Sequence, residues 1–555
     1  MSEILFQYKK VDPTSWAYLS SLLMVALFFK FNRFWSVRNL DLLLLIWLAP
    51  GLLMVNSGLR RVHQLEREEA AAVATPQATT ASTTNPSSDG ASPAEASPAS
   101  SEGDAASPAP EAVATTPPPT TTAQATPTDK EAGNKGDAPA GSPLATAADL
   151  ESNLAKTKIP TSALHSELVR FREISLFGFL WLFIGLVFLL IRLLFDPTMT
   201  RRPLLEPNLS PGGLLFLGFW LFAFHVANIL HGDVTADERQ GAKSAAAMVS
   251  SSASDLAKSR PDNLQRFGPG YYFLHMLPSI PTSISLPAND MAEQERAFVV
   301  VAKTMAILSN LGIVIGLILI GYWHFENIRM GIGTATLYLM LPYTAQLTGC
   351  VEHALPAALL IWAVVLYRRP MLAGLFIGLA MGTVYYPFFL LPLWVSFYWQ
   401  RGVMRFVGGV GLSLVAMAFS LLAGASENTT FWELLQSMFG LWLPRREGLQ
   451  GVWNLGWDPI FRLPVLAAFV ALTSSMAIWP AQKNLGTLLS CSAAIMVAAQ
   501  FWHGNDGGLF MAWFLPLTLL AMFRPNLEDR VALSVLGEGW FSRRRARLFP
   551  MNRAA

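Results

Sequence analysis

Apolar runs of about 14 to 24 residues recur along this chain, separated by short charged joints, and nothing else in the sequence restricts the fold so severely. A helix needs roughly 20 residues to cross ~30 Å of hydrocarbon. The runs fall near residues 16–29, 41–57, 174–195, 212–231, 299–322, 331–347, 353–367, 371–385, 387–400, 406–424, 463–480, 485–501 and 509–523. A water-soluble core cannot absorb so many. Of the 555 residues 52% are hydrophobic and 14% charged, although one long stretch contributes almost no apolar cluster. The expected fold is therefore an all-α polytopic membrane protein with about thirteen transmembrane helices. The net charge of +2 carries no nucleic-acid signal, because charge placement here serves topology.

Lys and Arg concentrate on the cytoplasmic side of membrane proteins. If every run spans, Arg201/Arg202, Arg329, Arg368/Arg369, Arg401/Arg405, Lys483 and the Arg543–Arg547 cluster all share one side. That places the C-terminus in the cytoplasm and the N-terminus outside. The run Met371 to Trp399 has no charge but carries basic pairs at both ends, so the chain must turn back within it. Pro387, after Tyr385 and Tyr386, is where the helix should break. Each arm of about 14 residues reaches only ~21 Å, so the turn must be covered by protein or face a wet cavity. The first run resembles a signal peptide, but Lys30, Arg33 and Arg38 follow it without a small-x-small cleavage site, which predicts a retained helix.

Four regions follow: an N-terminal transmembrane hairpin (1–57), an Ala/Thr/Pro/Ser-rich extracytoplasmic linker (58–165), the main bundle (166–523) and a basic cytoplasmic tail (524–555). The linker, which includes three consecutive prolines at 117–119, is too polar to fold and is expected to be disordered. Two further external loops, 232–295 and 426–462, interleave aromatic and charged residues and are expected to form short interfacial helices on the membrane. The tail near Trp540 and Arg543 reads as an inner-leaflet anchor. Cys350 and Cys491 lie in or beside apolar runs, so neither a disulfide framework nor a metal site is expected.

No soluble-enzyme motif is present, and chemistry must come from polar residues at helix ends. His225 and Asn228, spaced i and i+3, share a helix face that should turn into the bundle and hydrogen-bond between helices. Asp233 lies where that helix leaves the membrane, suited either to general-base chemistry or to plain solvation. Glu352 and His353 sit at another outer helix end and serve either a site or helix capping. Arg445 and Arg446 oppose the inside-positive trend, which suits them to phosphate as well as to an ion pair with Glu447. The turn His503 to Gly508 reads first as turn chemistry.

The stretch from Leu337 to Gly349, LYLMLPYTAQLTG, continues through Ala357–Tyr367, Arg368-Arg369-Pro370 and Gly378-Leu379-Ala380 to Pro387. It resembles the middle of the GT-C-type membrane glycosyltransferases, especially the bacterial mannosyltransferase-like family that uses polyprenyl-phosphate sugars. About 60 residues carry the pattern, with a looser match in layout over 212–523. The resemblance implies a GT-C-like bundle, a polyprenyl-phosphate sugar donor at the outer membrane face, and an essential acid in the first long external loop. It maps that acid onto Asp233. Under it Asp233 or Glu352 is the catalytic base, while Arg266, His353, Arg445 and Arg446 bind substrate or phosphate. No cofactor is implied beyond a possible divalent cation. Where the family has Gly-Gln-x-Asn this chain has Gly349-Cys350-Val351-Glu352, and where it has Lys before the proline this chain has Tyr385 and Tyr386. Those differences keep a second reading open, a non-catalytic envelope-assembly scaffold on the same fold. A transporter is the third, disfavoured because charge is nearly absent from the interiors of the runs.

Overall fold

A segment without polar side chains satisfies its backbone N–H and C=O groups most readily along its own axis, and each apolar run of this chain indeed forms helix. The computed structural model describes residues 11–80, 161–199, 205–249, 267–285, 291–423, 449–454, 457–481 and 483–525. Among them are α1 (Pro13–Phe28), α2 (Val37–Thr80), α3 (Thr161–Phe195), α4 (Pro211–His231), α5 (Ala236–Val249), α6 (Pro269–Ser285), α7 (Met291–Trp323) and α8 (Ile328–Met340). There follow α9 (Pro342–Leu347), α10 (Val351–Val365), α11 (Pro370–Thr383), α12 (Leu391–Tyr398), α13 (Val403–Ala423), α14 (Arg462–Ile478), α15 (Leu485–Trp502) and α16 (Leu515–Phe523). No β-strand occurs among the described residues. Among the described residues six helices are long and apolar enough to cross a membrane: those within Val37–Glu69, His165–Thr198, Pro211–His231, Ala292–Trp323, Pro459–Ile478 and Leu485–Trp502.

Proline starts several of these helices, where its missing N–H costs nothing. Asp12 caps α1 by accepting from Thr14 and Ser15, and Ser210 caps α4 by accepting from Gly213. The turn expected near Pro387 is present. The α11 helix stops at Thr383, Val384 is extended, and a 3-10 turn over Tyr386–Leu390 leads into α12.

The chain divides into two compact units, one of Met1–His63 with Val169–Ala555 and one of Gln64–Leu168. In the second unit the described residues are the last turns of α2 and the first turns of α3; α2 stays helical through Thr80, past the expected linker boundary at 58. In the first unit, α1 and the start of α2 pack with the main bundle. Trp16 stacks on Phe224 at 4.7 Å, and Phe28 meets Phe523 edge-on at 5.7 Å. The α2 and α3 helices approach closely because Gly58 lies over Ser175 and Gly178 over Val55, where any Cβ would collide. Trp47 and Trp181 stack at 4.1 Å beside this seam.

One end of this unit holds a charge network. Arg192 grips Asp41 with two hydrogen bonds (2.7 and 2.9 Å) and reaches Asp196 at 2.8 Å, while Arg524 binds the other Asp196 oxygen at 2.9 Å. The network joins α2, α3 and the residue that follows α16. Nearby, Arg329 donates to the carbonyls of Pro207 and Leu209, and Arg38 to those of Phe28 and Glu206. These arginines satisfy carbonyls left over where chain segments end. From this end α15 runs from Leu485 to Trp502, a rise of about 26 Å, to the opposite end of the bundle.

The aromatic loop 232–295, expected to form short interfacial helices, is helical in its described part and packs one face into the bundle. The α6 helix buries Tyr271, Tyr272 and His275, and Gly268 donates to the Thr383 carbonyl at 3.0 Å. Glu295 on α7 binds Lys243 (2.6 Å) and Arg239 (3.2 Å) of α5. It packs there because α6 carries aromatic rings on the side that faces α5 and α11. The remainder of the linker (81–160), the segment holding Arg201/Arg202, the 426–448 loop and the tail beyond 525 lie outside the described residues.

Replacing Asp196 by Ala leaves two arginines facing one carboxylate in a buried setting. The expected loss is about 3–5 kcal/mol of stability, read as a lower unfolding midpoint in detergent by circular dichroism. An unchanged midpoint would show that the network contributes nothing.

Candidate functional site

The polar residues of the end opposite the charge network are held where helices stop. After α8 the chain bends at Leu341, Pro342 opens the short α9, and Thr348 to Cys350 join it to α10. Glu352 and His353 thereby occupy the first turn of α10, where exposed N–H groups favour a carboxylate. Tyr343 on α9 is 2.7 Å from His353 Nδ1. With the phenol donating, the imidazole proton sits on Nε2 and faces Glu352 Oε1 at 3.6 Å. Trp513 donates its indole N–H to the Glu352 carbonyl at 3.2 Å, pinning the backbone beside the carboxylate.

Glu352 helps to wall a cavity of ≈ 40 Å³ that is otherwise mostly aromatic. Tyr385 and Tyr386 come from the turn after α11, His503 and Asn505 from the turn after α15, Phe510 and Trp513 from the approach to α16, and Phe267 from the start of α6. His503 stacks on Tyr386 at 4.7 Å and packs against Phe510 at 4.7 Å; His353 stacks on the same Phe510 at 4.4 Å. Such ring pairs fix the walls at 4.5–7 Å centroid spacings. Arg462, buried at the start of α14, donates to the Trp502 carbonyl at 2.9 Å, lies 6.0 Å from the Trp453 ring and acts electrostatically on both Tyr385 and Tyr386.

A second carboxylate reaches this cluster from α5. Glu238 accepts from the Thr235 backbone at 2.7 Å while Thr235 Oγ1 accepts from the Glu238 backbone at 3.4 Å, a reciprocal helix cap. The Glu238 carboxyl also hydrogen-bonds Cys350 and feels the charge of Glu352. Burial, reinforced by Glu352, holds it above the usual carboxylate range. On α6, burial pushes the His275 imidazole down to about 4, so it is neutral at ordinary pH.

Of the candidates read from the sequence, Glu352 and His353 come together beside the cavity. Asp233 is exposed just beyond α4 and is not among the residues that wall it. Arg266, Arg445 and Arg446 lie outside the described residues. His225 and Asn228 are buried as expected, with His225 Nε2 2.7 Å from the Leu339 carbonyl. Sequence reasoning missed Glu238, Arg462, His503 and the tyrosine pair as site components. The Thr235-x-x-Glu238 cap signature was legible and would have brought Glu238 forward; the other positions depend on which helix ends meet. Among the described residues no group of three or more His, Cys, Asp or Glu side chains is arranged to hold a metal.

Because the folded state raises the Glu238 carboxyl above 4.5, this group favours folding in acid, and that contribution is lost as pH rises through the raised value. Glu238→Gln keeps the cap without the charge. Its unfolding midpoint is expected to match the wild type near pH 4 and exceed it near pH 7; equal midpoints at both would remove Glu238 from the titrating groups. Comparison with protein-family models, with characterised proteins and with solved structures finds no match to this chain, so its functional reading rests on the geometry above.

Proposed function

We propose that this protein is a multi-pass membrane enzyme of about thirteen crossings that transfers a sugar from a polyprenyl-phosphate donor to an envelope acceptor at the outer face. The basic joints mark the cytoplasmic end and the Glu352 cavity the outer end, with the N-terminus and linker outside and the C-terminus inside. The observation that carries the reading is Glu352, a carboxylate beside His353 on the wall of an aromatic cavity at the end of the bundle away from the basic joints. Glycosyl transfer needs a base for the acceptor hydroxyl and a cation for the leaving phosphate. Glu352 is the base, oriented by His353, and the aromatic walls supply apolar faces for a sugar ring. Arg462, behind the tyrosine pair, supplies positive charge; Arg266, Arg445 and Arg446 are proposed to add to it from the adjoining loops. Asp233 stays a candidate acid at the rim.

The cavity volume favours a second reading, a non-catalytic scaffold on the same bundle. At ≈ 40 Å³ the space holds a few waters and is far below the ~300 Å³ of a small-molecule site, so a sugar enters only if the walls part.

Both readings meet in one experiment. Purified protein in detergent is titrated with a short-chain polyprenyl-phosphate mannose and then assayed for transfer to a panel of hydroxyl acceptors. The enzyme reading expects saturable binding, weakened by Arg462→Ala, and Glu352→Gln that still binds but transfers about 100-fold more slowly or worse. Binding no greater than that of the detergent alone would leave the scaffold.

A further inference from the structure

A second recess, remote from the Glu352 cavity in its wall residues, lies where the start of α1, the end of α4, α9 and the Arg60 turn of α2 converge. It has a volume of ≈ 20 Å³, and its walls include Trp16, Arg60, Asn228 and Gln346. Trp16 is only 8% exposed, stacked on Phe224, and its indole N–H finds no acceptor among the described residues. Gln346 accepts from Asn56 through Oε1, which leaves its amide NH₂, and that group is also buried with no acceptor among the described residues. Unsatisfied buried donors are rare and costly, and two of them belong to side chains that wall one recess, which calls for an acceptor from outside the chain. The exposed guanidinium of Arg60 on the same wall selects a negative one.

We infer that this recess seats a phosphate oxygen of a membrane phospholipid. The two helices that frame it carry exposed apolar side chains further along: Tyr18, Leu19 and Leu22 on α1, and Phe216, Phe219 and Trp220 on α4. An acceptor group that enters here therefore belongs to a molecule with apolar chains to lay along those helices. A phospholipid meets both demands, with one head-group oxygen in the recess and its acyl chains outside. A recess of this size admits one oxygen and no bulky group, so the rest of the phosphate stays at the mouth beside Arg60. The inference rests on the membrane reading of the apolar helices and is independent of sugar transfer.

The test uses the full chain, exchanged into detergent with equal amounts of palmitoyl-oleoyl phosphatidylglycerol and the diacylglycerol of the same chains, and counts retained lipid by native mass spectrometry. Retention of about one phosphatidylglycerol in preference to diacylglycerol is expected, falling about tenfold in Trp16→Phe/Arg60→Gln, which keeps the ring stack on Phe224. Gln346→Glu puts a carboxylate among the donors; it is expected to abolish retention while raising the unfolding midpoint. Equal retention of the two lipids, or variants that retain lipid as the wild type does, would overturn the lipid site and leave an ordered water. Displacement of the phosphatidylglycerol by millimolar inorganic phosphate would overturn the lipid assignment in favour of free phosphate.

Discussion

Two aspartates and two arginines, Asp41, Asp196, Arg192 and Arg524, must satisfy one another at one end of a bundle made largely of hydrocarbon, and much of the architecture follows from that requirement. Each charge alone would carry a desolvation cost of several kcal/mol, so the four are stable only as a set. Assembling the set brings the start of α2, the end of α3 and the end of α16 to one place. Those segments lie hundreds of residues apart in the chain. The hairpin of α1 and α2 is thereby drawn into the same unit as the later helices, a placement that the long polar linker does not impose.

At the other end the constraint is the backbone. Five chain segments stop there: α9 before α10, α11 before its turn, α15 before the His503 turn, the approach to α16, and the start of α6. A turn amid apolar helices exposes carbonyl and N–H groups that need partners. Aromatic residues with polar tips meet this need, because they fill volume and still donate, as Trp513 does to the Glu352 carbonyl. The same covering produces a cavity in which Glu352 faces rings. Structural necessity and candidate chemistry thus share one place, and the proposed base is held by groups that also close the turns.

The two ends are linked by dry packing. The α15 helix is buried along almost its whole length and carries Gln500, which accepts from the Gly508 backbone at 3.1 Å and so fixes the His503 turn. The α11 and α13 helices meet through Gly374 and Gly378, and the far end of α11 supports Gly268 and, through it, Phe267 on the cavity wall. Substitutions in these helices are felt at the site without touching it, since close-packed interiors pass on small displacements.

Much of this was legible in the residues. Apolar length located the six long apolar helices, the basic pairs around Met371 to Trp399 required the reversal at Tyr386, and the i, i+3 spacing of His225 and Asn228 turned that face inward. Those inferences are local: they follow from helix period, side-chain solubility and proline geometry. The docking of α6, the approach of Glu238 to Cys350, and the meeting of Arg462 with the tyrosine pair were not legible, nor was the charge network, although Asp41 and Arg192 stood at the ends of apolar runs. Their partners come from distant segments, and apolar helices pack through shape and small residues that leave little trace in composition. The sequence by itself determined that the chain is a set of apolar helices with polar ends. Which ends meet, and therefore where Glu352 finds its aromatic walls and Trp16 its unsatisfied neighbour, was decided only by tertiary packing, because contact between helices depends on complementary surfaces that no single segment contains.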